Sequence, residues 1–355
     1  MKEEREHTEN PNSSTGGREG TSRWGIIYCP KYMTQRRHKF WEKVERCLLD
    51  KGVEYDFVQS ENANSVERLV TMLINNGYKT IVLVGGDSAL NDTANCLMNA
   101  EKSVRDSIVL GLIPNGVMND FASFWEMEEG DIERQVDWII KRRVRKIDLG
   151  CIRYTDKQGE SCHRYFMNSV NVGLLSDIMN LRQKMRHYFG SRILSFIFSF
   201  VLMLFRRKDY KMDIKINSDV VKRKVMTVCV GNTLGYGQTP NAVPYNGLLD
   251  VSVVYHPEVM QLFEGFYLFI SGKILNHKSV HPFRTREVLF REAPHAPVNV
   301  DGRALDNISG GFRVEVEQEV INFIMPDSCY RREESSFVFF APKSFPLVER
   351  KTEVG

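Results

Sequence analysis

Apolar residues in the first half of the chain fall into short runs separated by segments that carry a helical stripe. Trp24 to Cys29 (WGIIYC) reads as a strand, with Pro30 to Met33 as its loop. From Arg36 to Lys51, Phe40, Val44, Cys47 and Leu48 recur along one face of an amphipathic helix, which Gly52 ends. Tyr55 to Val58 is a second strand. Ser65 to Asn75 places Val66, Leu69, Val70 and Leu73 on one stripe and stops near Gly77. Ile81 to Val84 forms a third strand that runs into Gly85-Gly86-Asp87, and a helix is expected from about Leu90 to Ala100. Ser107 to Ile113 is a fourth, whose loop Pro114-Asn115-Gly116 enters another helix at Asn119-Asp120. Strand and helix alternating at this interval predict a parallel sheet covered on both faces. Ligands of such sheets sit at the C-terminal strand ends, where both glycine loops lie.

The rhythm changes near Asp131. A helix around Ile132 to Arg142 runs into the basic cluster Lys141 to Lys146, which reads as a solvated helix end; a helix C-terminus favours cations. Beyond Asp148-Leu149-Gly150 come short strands: Tyr165–Val172, Met212–Ile216, Val225–Gly231, Leu249–Tyr255, Glu287–Arg291, Val298–Asp301 and Phe312–Val316. Strands at this spacing, with turn signals between them, predict an antiparallel sandwich. Apolar helical segments at 174–205 and 258–275 interrupt it, and Ser336 to Ala341 reads as a late strand. The expected fold class is therefore α/β plus β. A disordered arm (1–22) precedes a parallel α/β domain (23–148), an antiparallel β-sandwich domain (149–328) and a closing segment (329–355).

Composition narrows the function. Hydrophobic residues make up 42% of the 355, charged residues 26%, and the net charge is +3, a balance that argues against a dedicated nucleic-acid binder. The seven cysteines include no CxxC pair and read as reduced thiols of a cytoplasmic protein. The eight histidines show no HxxxH spacing, which argues against structural zinc. A metal held by carboxylates and phosphates stays open. The polar, Gly/Ser-rich first 22 residues show no secretory pattern. The longest apolar run, Ile193 to Phe205, has 13 residues, too few to span a bilayer. It suits a core helix. Its basic flanks, Arg182 to Arg192 and Arg206 to Lys211, equally suit docking on an anionic membrane surface.

A Gly-Gly-Asp loop after a strand can be a plain turn with Asp as a cap. It can also turn backbone N–H groups toward phosphate. Five motifs in order favour the second: GGDSALND, GLIPNGVMNDFASFW, FMNSVNVGLLSDI, VCVGNTLGYGQTPNAVPYNGLLDVSVV and VNVDGRAL. Over roughly residues 24 to 325 the chain resembles lipid kinases of the diacylglycerol kinase and sphingosine kinase catalytic-domain type, with degenerate motifs. The resemblance implies an α/β domain of the NAD kinase/diacylglycerol kinase type with a nucleotide cleft against a β-sandwich, and a last segment that returns to the first domain. It implies ATP and Mg²⁺ as cofactors and transfer of the γ-phosphoryl group to a lipid hydroxyl, chemistry that rests on positioning and charge stabilisation. By resemblance, Ser60, Gly85, Gly86, Asp87, Ser88, Asn91, Asn115, Gly116, Val117, Asn119 and Asp120 would hold the nucleotide. Asp87, Asp301 and Arg303 would be catalytic, with Asp87 or Asp301 as base and Arg303 clamping phosphate. Asn246 and Leu248 would mark a metal loop, and Ile193, Phe196, Phe200, Phe263 and Phe266 a lipid pocket.

Departures from the pattern open a second reading. The family usually has Gly-Gly-Asp-Gly-Thr followed by Asn-Glu; here Ser88, Ala89, Asn91 and Asp92 stand instead. The Cβ of Ser88 is expected to crowd a phosphate or strain a positive φ. Val117 replaces a Thr, Cys29 an Asn, Asn246 a metal-binding Asp, and Arg303 a Glu often assigned as base. The alternatives to an active lipid kinase are a pseudokinase that binds nucleotide or lipid as a regulator and, less favoured, an NAD kinase-like enzyme. Expected partners are a lipid substrate at the membrane surface and, as an option, a second copy of the chain, but no nucleic acid. The expected location is cytoplasmic, peripheral to the inner face of the membrane.

Overall fold

The computed structural model describes residues 23–30, 36–61, 65–116, 119–185, 208–255, 261, 264–265, 267–268 and 273–327. The arm at 1–22, the segment 329–355 with its late strand, Val117, Ile193, Phe196, Phe200, Phe263 and Phe266 lie outside the described residues.

Strand and helix alternate as the periodicity predicts: β1 (Trp24–Tyr28), α1 (Arg36–Asp50), β2 (Tyr55–Gln59), α2 (Ser65–Asn75), β3 (Thr80–Gly85), α3 (Asp87–Asn99), α4 (Lys102–Ser107), β4 (Val109–Pro114), α5 (Asp120–Phe124) and α6 (Ile132–Lys141). The strands run parallel in the order β2-β1-β3-β4. Neighbouring positions on a strand point to opposite faces. A Cβ on Gly25 would meet Leu73 of α2, whereas one on Gly111, a register step further on, would meet Ile139 of α6. Helices thus cover both faces, and every residue of β1, β3 and β4 is buried.

After α6 the chain enters β5 (Val144–Asp156), β6 (Ser161–Phe166), β7 (Ser169–Gly173) and α7 (Leu174–Met185). Then follow β8 (Tyr210–Ile216), β9 (Asp219–Val225), β10 (Thr227–Gly231), β11 (Leu249–Val254), β12 (Val280–Thr285), β13 (Glu287–Glu292), β14 (Val298–Val300), β15 (Arg303–Ala304) and β16 (Ile308–Ile324). One antiparallel sheet runs β12-β11-β10-β7-β14-β15. It packs on β8, β13 and β16 through Val170, Val228, Val251, Phe290, Phe312 and Val314, a core separate from that of the α/β layer. This is the antiparallel sandwich expected after the α/β domain.

One strand ties the layers together. β16, read from sequence as the short strand Phe312–Val316, has 17 residues. One end pairs with β13 in the sandwich; the other lies parallel to β4, Asn322 beside Val109 and Phe323 beside Leu110. The α/β sheet and half of the sandwich are therefore one ten-stranded sheet.

The basic cluster at 141–146 begins as the expected helix end, with Lys141 in the last turn of α6, and continues into a strand. Arg142 closes α6 in the left-handed conformation, φ 51°, and Val144 already starts β5. Lys141 and Arg143 hold Asp327, while Arg145 stacks 3.8 Å over the ring of Tyr245. Opposite Gly150 on β5 lies Phe166 of β6, whose ring would come within 1.9 Å of an added Cβ. Gly150→Ala is expected to lower stability by about 3 kcal/mol, since overpacking a core moves side chains off their rotamers. A urea midpoint within error of wild type would show that the Phe166 ring has room to swing.

Candidate functional site

The parallel strands deliver four loops to one edge. Cys29 follows β1, Ser60 follows β2, Gly86 and Asp87 follow β3, and Asn115 and Gly116 follow β4. Backbone bonds hold them side by side: Cys29 N–H donates to Val84 O, Ser60 N–H to Tyr28 O and Asn115 N–H to Gly85 O, each 2.8 Å. A Cβ on Gly85 would stand 3.2 Å from that of Cys29, so a side chain there would have to push the two loops apart by a few tenths of an ångström. Burial lifts the Cys29 thiol to about 12, despite its bond to Ser60, so it stays protonated.

Here α3 begins. It starts at Asp87 rather than near Leu90, and no side chain caps its first turn. Its earliest helical bond runs from Leu90 N–H to Gly86 O. The N–H groups before Leu90 have no partner within the helix, and they carry the positive end of its dipole. Ser88 is exposed in that first turn and helical, so the expected positive-φ strain does not arise.

Asp87 reaches from α3 to the next loop. Its carboxylate accepts the N–H groups of Asp120 (2.8 Å) and Phe121 (3.3 Å) at the start of α5. Burial first, then the charge of Asp120, raise its proton affinity well above the usual carboxylate range; the Asp120 N–H opposes this. Asn119 closes its own loop, its Oδ1 accepting the Gly116 N–H at 2.9 Å.

Asp301 has a different position. It and Gly302 have φ of 46° and 84°, the two left-handed residues of a tight hairpin turn between β14 and β15. Its Oδ1 accepts the N–H groups of Asn168 (3.0 Å) and Ser169 (2.8 Å). Its Oδ2 accepts Met167 N–H (2.7 Å) and Asn91 Nδ2 (2.8 Å). Four donors fill the four acceptor positions of a carboxylate that is 2% exposed. In this arrangement the Asp301 carboxylate, expected as a base, joins β14, the β6–β7 break and α3. Sequence reading gave one strand over Tyr165–Val172; it is broken at Met167-Asn168, where these N–H groups turn to Asp301.

Asn91 is engaged in the same way. Its Nδ2 donates to Asp301 and to Tyr165 O, and its Oδ1 accepts from Arg164 and Asn95, leaving no amide group for a nucleotide. Arg303 does not stand alone either: its guanidinium bonds Asp92 of α3. Arg164 on β6, which sequence reading missed, donates Nη2 to Asn91 Oδ1 at 2.9 Å and to Asp92 Oδ1 at 3.3 Å. Burial raises Asp92 to about 6, against the pull of Arg303 and Arg164.

The loop at 244–248 lies at the joint between the layers. Asp148, also missed from sequence, accepts the N–H groups of Gly247 (2.7 Å) and Glu319 (2.8 Å). Asn246 turns its Oδ1 back onto Leu248 N–H at 2.9 Å, so the loop is closed by its own bonds. Among the described residues, acidic and sulfur ligands gather within reach of one ion only at Cys151, Glu315 and Glu317, where Arg153 already pairs with both glutamates. No described helix is long and apolar enough to cross a membrane.

Comparison with known proteins agrees with this arrangement. Residues 23–152 match the model of the diacylglycerol kinase catalytic domain, and residues 168–325 that of the YegS C-terminal NAD kinase beta sandwich-like domain. A diacylglycerol kinase of Staphylococcus carnosus is 24% identical over 78% of this chain and 87% of its own length. A "probable lipid kinase YegS-like" of Alcanivorax borkumensis is 23% identical over 74% of this chain and 84% of its own. The crystal structure of a diacylglycerol kinase from Bacillus anthracis superposes with a TM-score of 0.63 at 18% identity, over 86% of this chain and 98% of that one, a likeness of fold.

Proposed function

We propose that this chain, which belongs to the bacterial-type lipid kinase family of diacylglycerol kinases and YegS-like proteins, transfers the γ-phosphoryl group of ATP to a lipid hydroxyl. The observation that carries the reading is the uncapped N-terminus of α3 at the end of β3, with Asp87 in its first turn. Such a terminus offers N–H groups and a positive dipole end to phosphate. In the transfer, the acceptor oxygen forms a bond to the γ-phosphorus. The bond from that phosphorus to the bridging oxygen breaks, and ADP leaves with the electron pair. The acceptor's proton passes to Asp87, the only acid of the three expected catalytic residues with acceptor capacity left. Its raised proton affinity suits a base working near neutral pH.

Buried Asp87 and half-buried Asp120, whose charge acts on it, fit a nearby cation. Mg²⁺ would be held by Asp120 together with the nucleotide phosphates, as this ion commonly binds few protein carboxylates. It would supply charge neutralisation to the transferring group. Access to lipid would come from peripheral contact with the inner face of the membrane. Lysines exposed on β8 and β9, with Lys211 directly opposite Lys224, support this.

The test uses the full chain, labelled ATP, Mg²⁺ and mixed micelles carrying diacylglycerol, sphingosine or phosphatidylglycerol. Label in an extractable lipid is the expected result. Nucleotide binding without label in any lipid would leave the regulator reading instead, and no binding of nucleotide would remove both.

A further inference from the structure

We propose that a recess on the β-sandwich, apart from the nucleotide loops, binds the phosphate monoester of a small organic molecule. The site does not depend on the kinase reading and would stand without it.

Two turns from opposite sheets build the recess. Between β8 and β9, Asn217 takes the left-handed conformation, φ 54°, and its side-chain amide donates to Arg284 O of β12 at 3.0 Å. Where β12 passes into β13, Thr285 Oγ1 donates to Glu287 O (2.8 Å) and accepts Glu287 N–H (3.1 Å). These bonds hold both turns in place. Between them lies a cavity of about 360 Å³, a size that suits a small molecule. It is not the nucleotide cleft. Across the six-stranded sheet, Val300 aligns with Val170, Val230, Val251 and Phe283. Arg284 therefore lies four strand spacings, roughly 19 Å, from the hairpin that carries Asp301.

Charge selects the ligand. Lys215, Arg284 and Arg286 line the cavity, with Glu287 as its acid. Asp250 takes Arg284 through Nε (2.6 Å) and Nη2 (3.1 Å), which neutralises that guanidinium. Glu287 lies 3.6 Å from Arg313, a residue outside the recess that answers its charge. The side chains of Lys215 and Arg286 have no partner among the described residues. Two unmatched positive charges in one recess call for a dianion, and a phosphate monoester carries about −1.5 to −2 at pH 7. The planar fork of Arg286 suits two of its oxygens, with Lys215 as a point charge beside it. A carboxylate would match only one of the cations. Half-buried Leu248 and Leu289 complete the lining and give an organic body an apolar contact that inorganic phosphate lacks.

The test titrates the full chain calorimetrically with glycerol 3-phosphate, inorganic phosphate and glycerol. Wild type is compared with Lys215→Gln, Arg286→Gln and Lys211→Gln. All three side chains are exposed, so their exchange leaves the core untouched. Expected is glycerol 3-phosphate binding that weakens about tenfold or more in the Lys215 and Arg286 variants. It should keep its wild-type value in Lys211→Gln, whose lysine is on the same strand but outside the recess. Equal losses in all three variants would show diffuse attraction to a basic face and overturn the site. Binding unchanged in both recess variants lies elsewhere and overturns it too. Inorganic phosphate bound as tightly as glycerol 3-phosphate would overturn the organic ligand in favour of the free ion. A sedimentation arm uses phosphatidylcholine vesicles with and without phosphatidic acid, whose headgroup is also a phosphate monoester. Sedimentation that needs phosphatidic acid and fails only in the two recess variants, with glycerol 3-phosphate unbound, supports the recess and makes a lipid its source. Binding to neither probe overturns the proposal.

Discussion

Asp301→Ala is expected to remove about 4 kcal/mol of stability, a large share of the roughly 5 to 15 kcal/mol typical of a folded domain. The alanine leaves three backbone N–H groups, of Met167, Asn168 and Ser169, and the Asn91 amide without an acceptor in a site that is 2% exposed. Each buried donor left unsatisfied costs about 1 to 3 kcal/mol, and relief from burying the carboxylate returns part of the sum. The loss spreads because the four donors come from different elements. Asn91 belongs to α3 of the nucleotide layer, and the backbone donors come from the break between two sandwich strands. Asp301→Asn should fall between the two, since one carbonyl oxygen can still accept two of the four bonds. Urea unfolding of both variants reads the effect directly. A catalytic base at this position would behave otherwise, with activity abolished and the unfolding midpoint unmoved, and that result would restore Asp301 to the reaction.

The alternating elements of the first layer were legible because their period is local. Strands buried on both faces are short apolar runs, and helices with one buried stripe repeat every three to four residues. The order of the glycine loops along those strands also placed Gly85, Gly86, Asp87 and Asn115 on one edge. What local pattern cannot carry is pairing. β16 looks like a short strand because only its middle has an unbroken apolar alternation. Its C-terminal end is identified by contact with β4, some two hundred residues earlier in the chain. Arg164 sits in SCHRYF, a strand with no motif, and becomes part of a site only when β6 packs on α3. The exchange at 303 is instructive for the same reason. Read along the chain, Arg303 is a lost glutamate; read in space, it is one half of a pair with Asp92. A glutamate put back at 303 would set two carboxylates together against a buried wall.

Asp87→Asn is expected to reduce phosphoryl transfer by about three orders of magnitude, the middle of the range for removing a general base. The same change should make the protein's stability less sensitive to alkali. The two effects have one origin. The folded-state proton affinity of Asp87 is raised well above its ordinary value, by burial first and by the Asp120 charge second. A carboxyl group raised in the folded state contributes stability that is complete below its unfolded value, near pH 4, and is lost as pH rises through the folded value. Wild type without metal or nucleotide should therefore lose stability over that window. An asparagine has no proton to release, so the variant should gain on wild type as pH rises. It keeps a carbonyl for one of the two α5 N–H groups and gives up the other bond, which lowers both ends of the profile alike. The slope of the difference, not its absolute value, is thus the measurement. Unfolding in EDTA from pH 5 to 8.5 gives that slope, and adding Mg²⁺ with ATP should stabilise wild type more than the variant. Parallel pH profiles, with activity retained, would place the proton acceptor elsewhere and make Asp87 a clasp between α3 and α5.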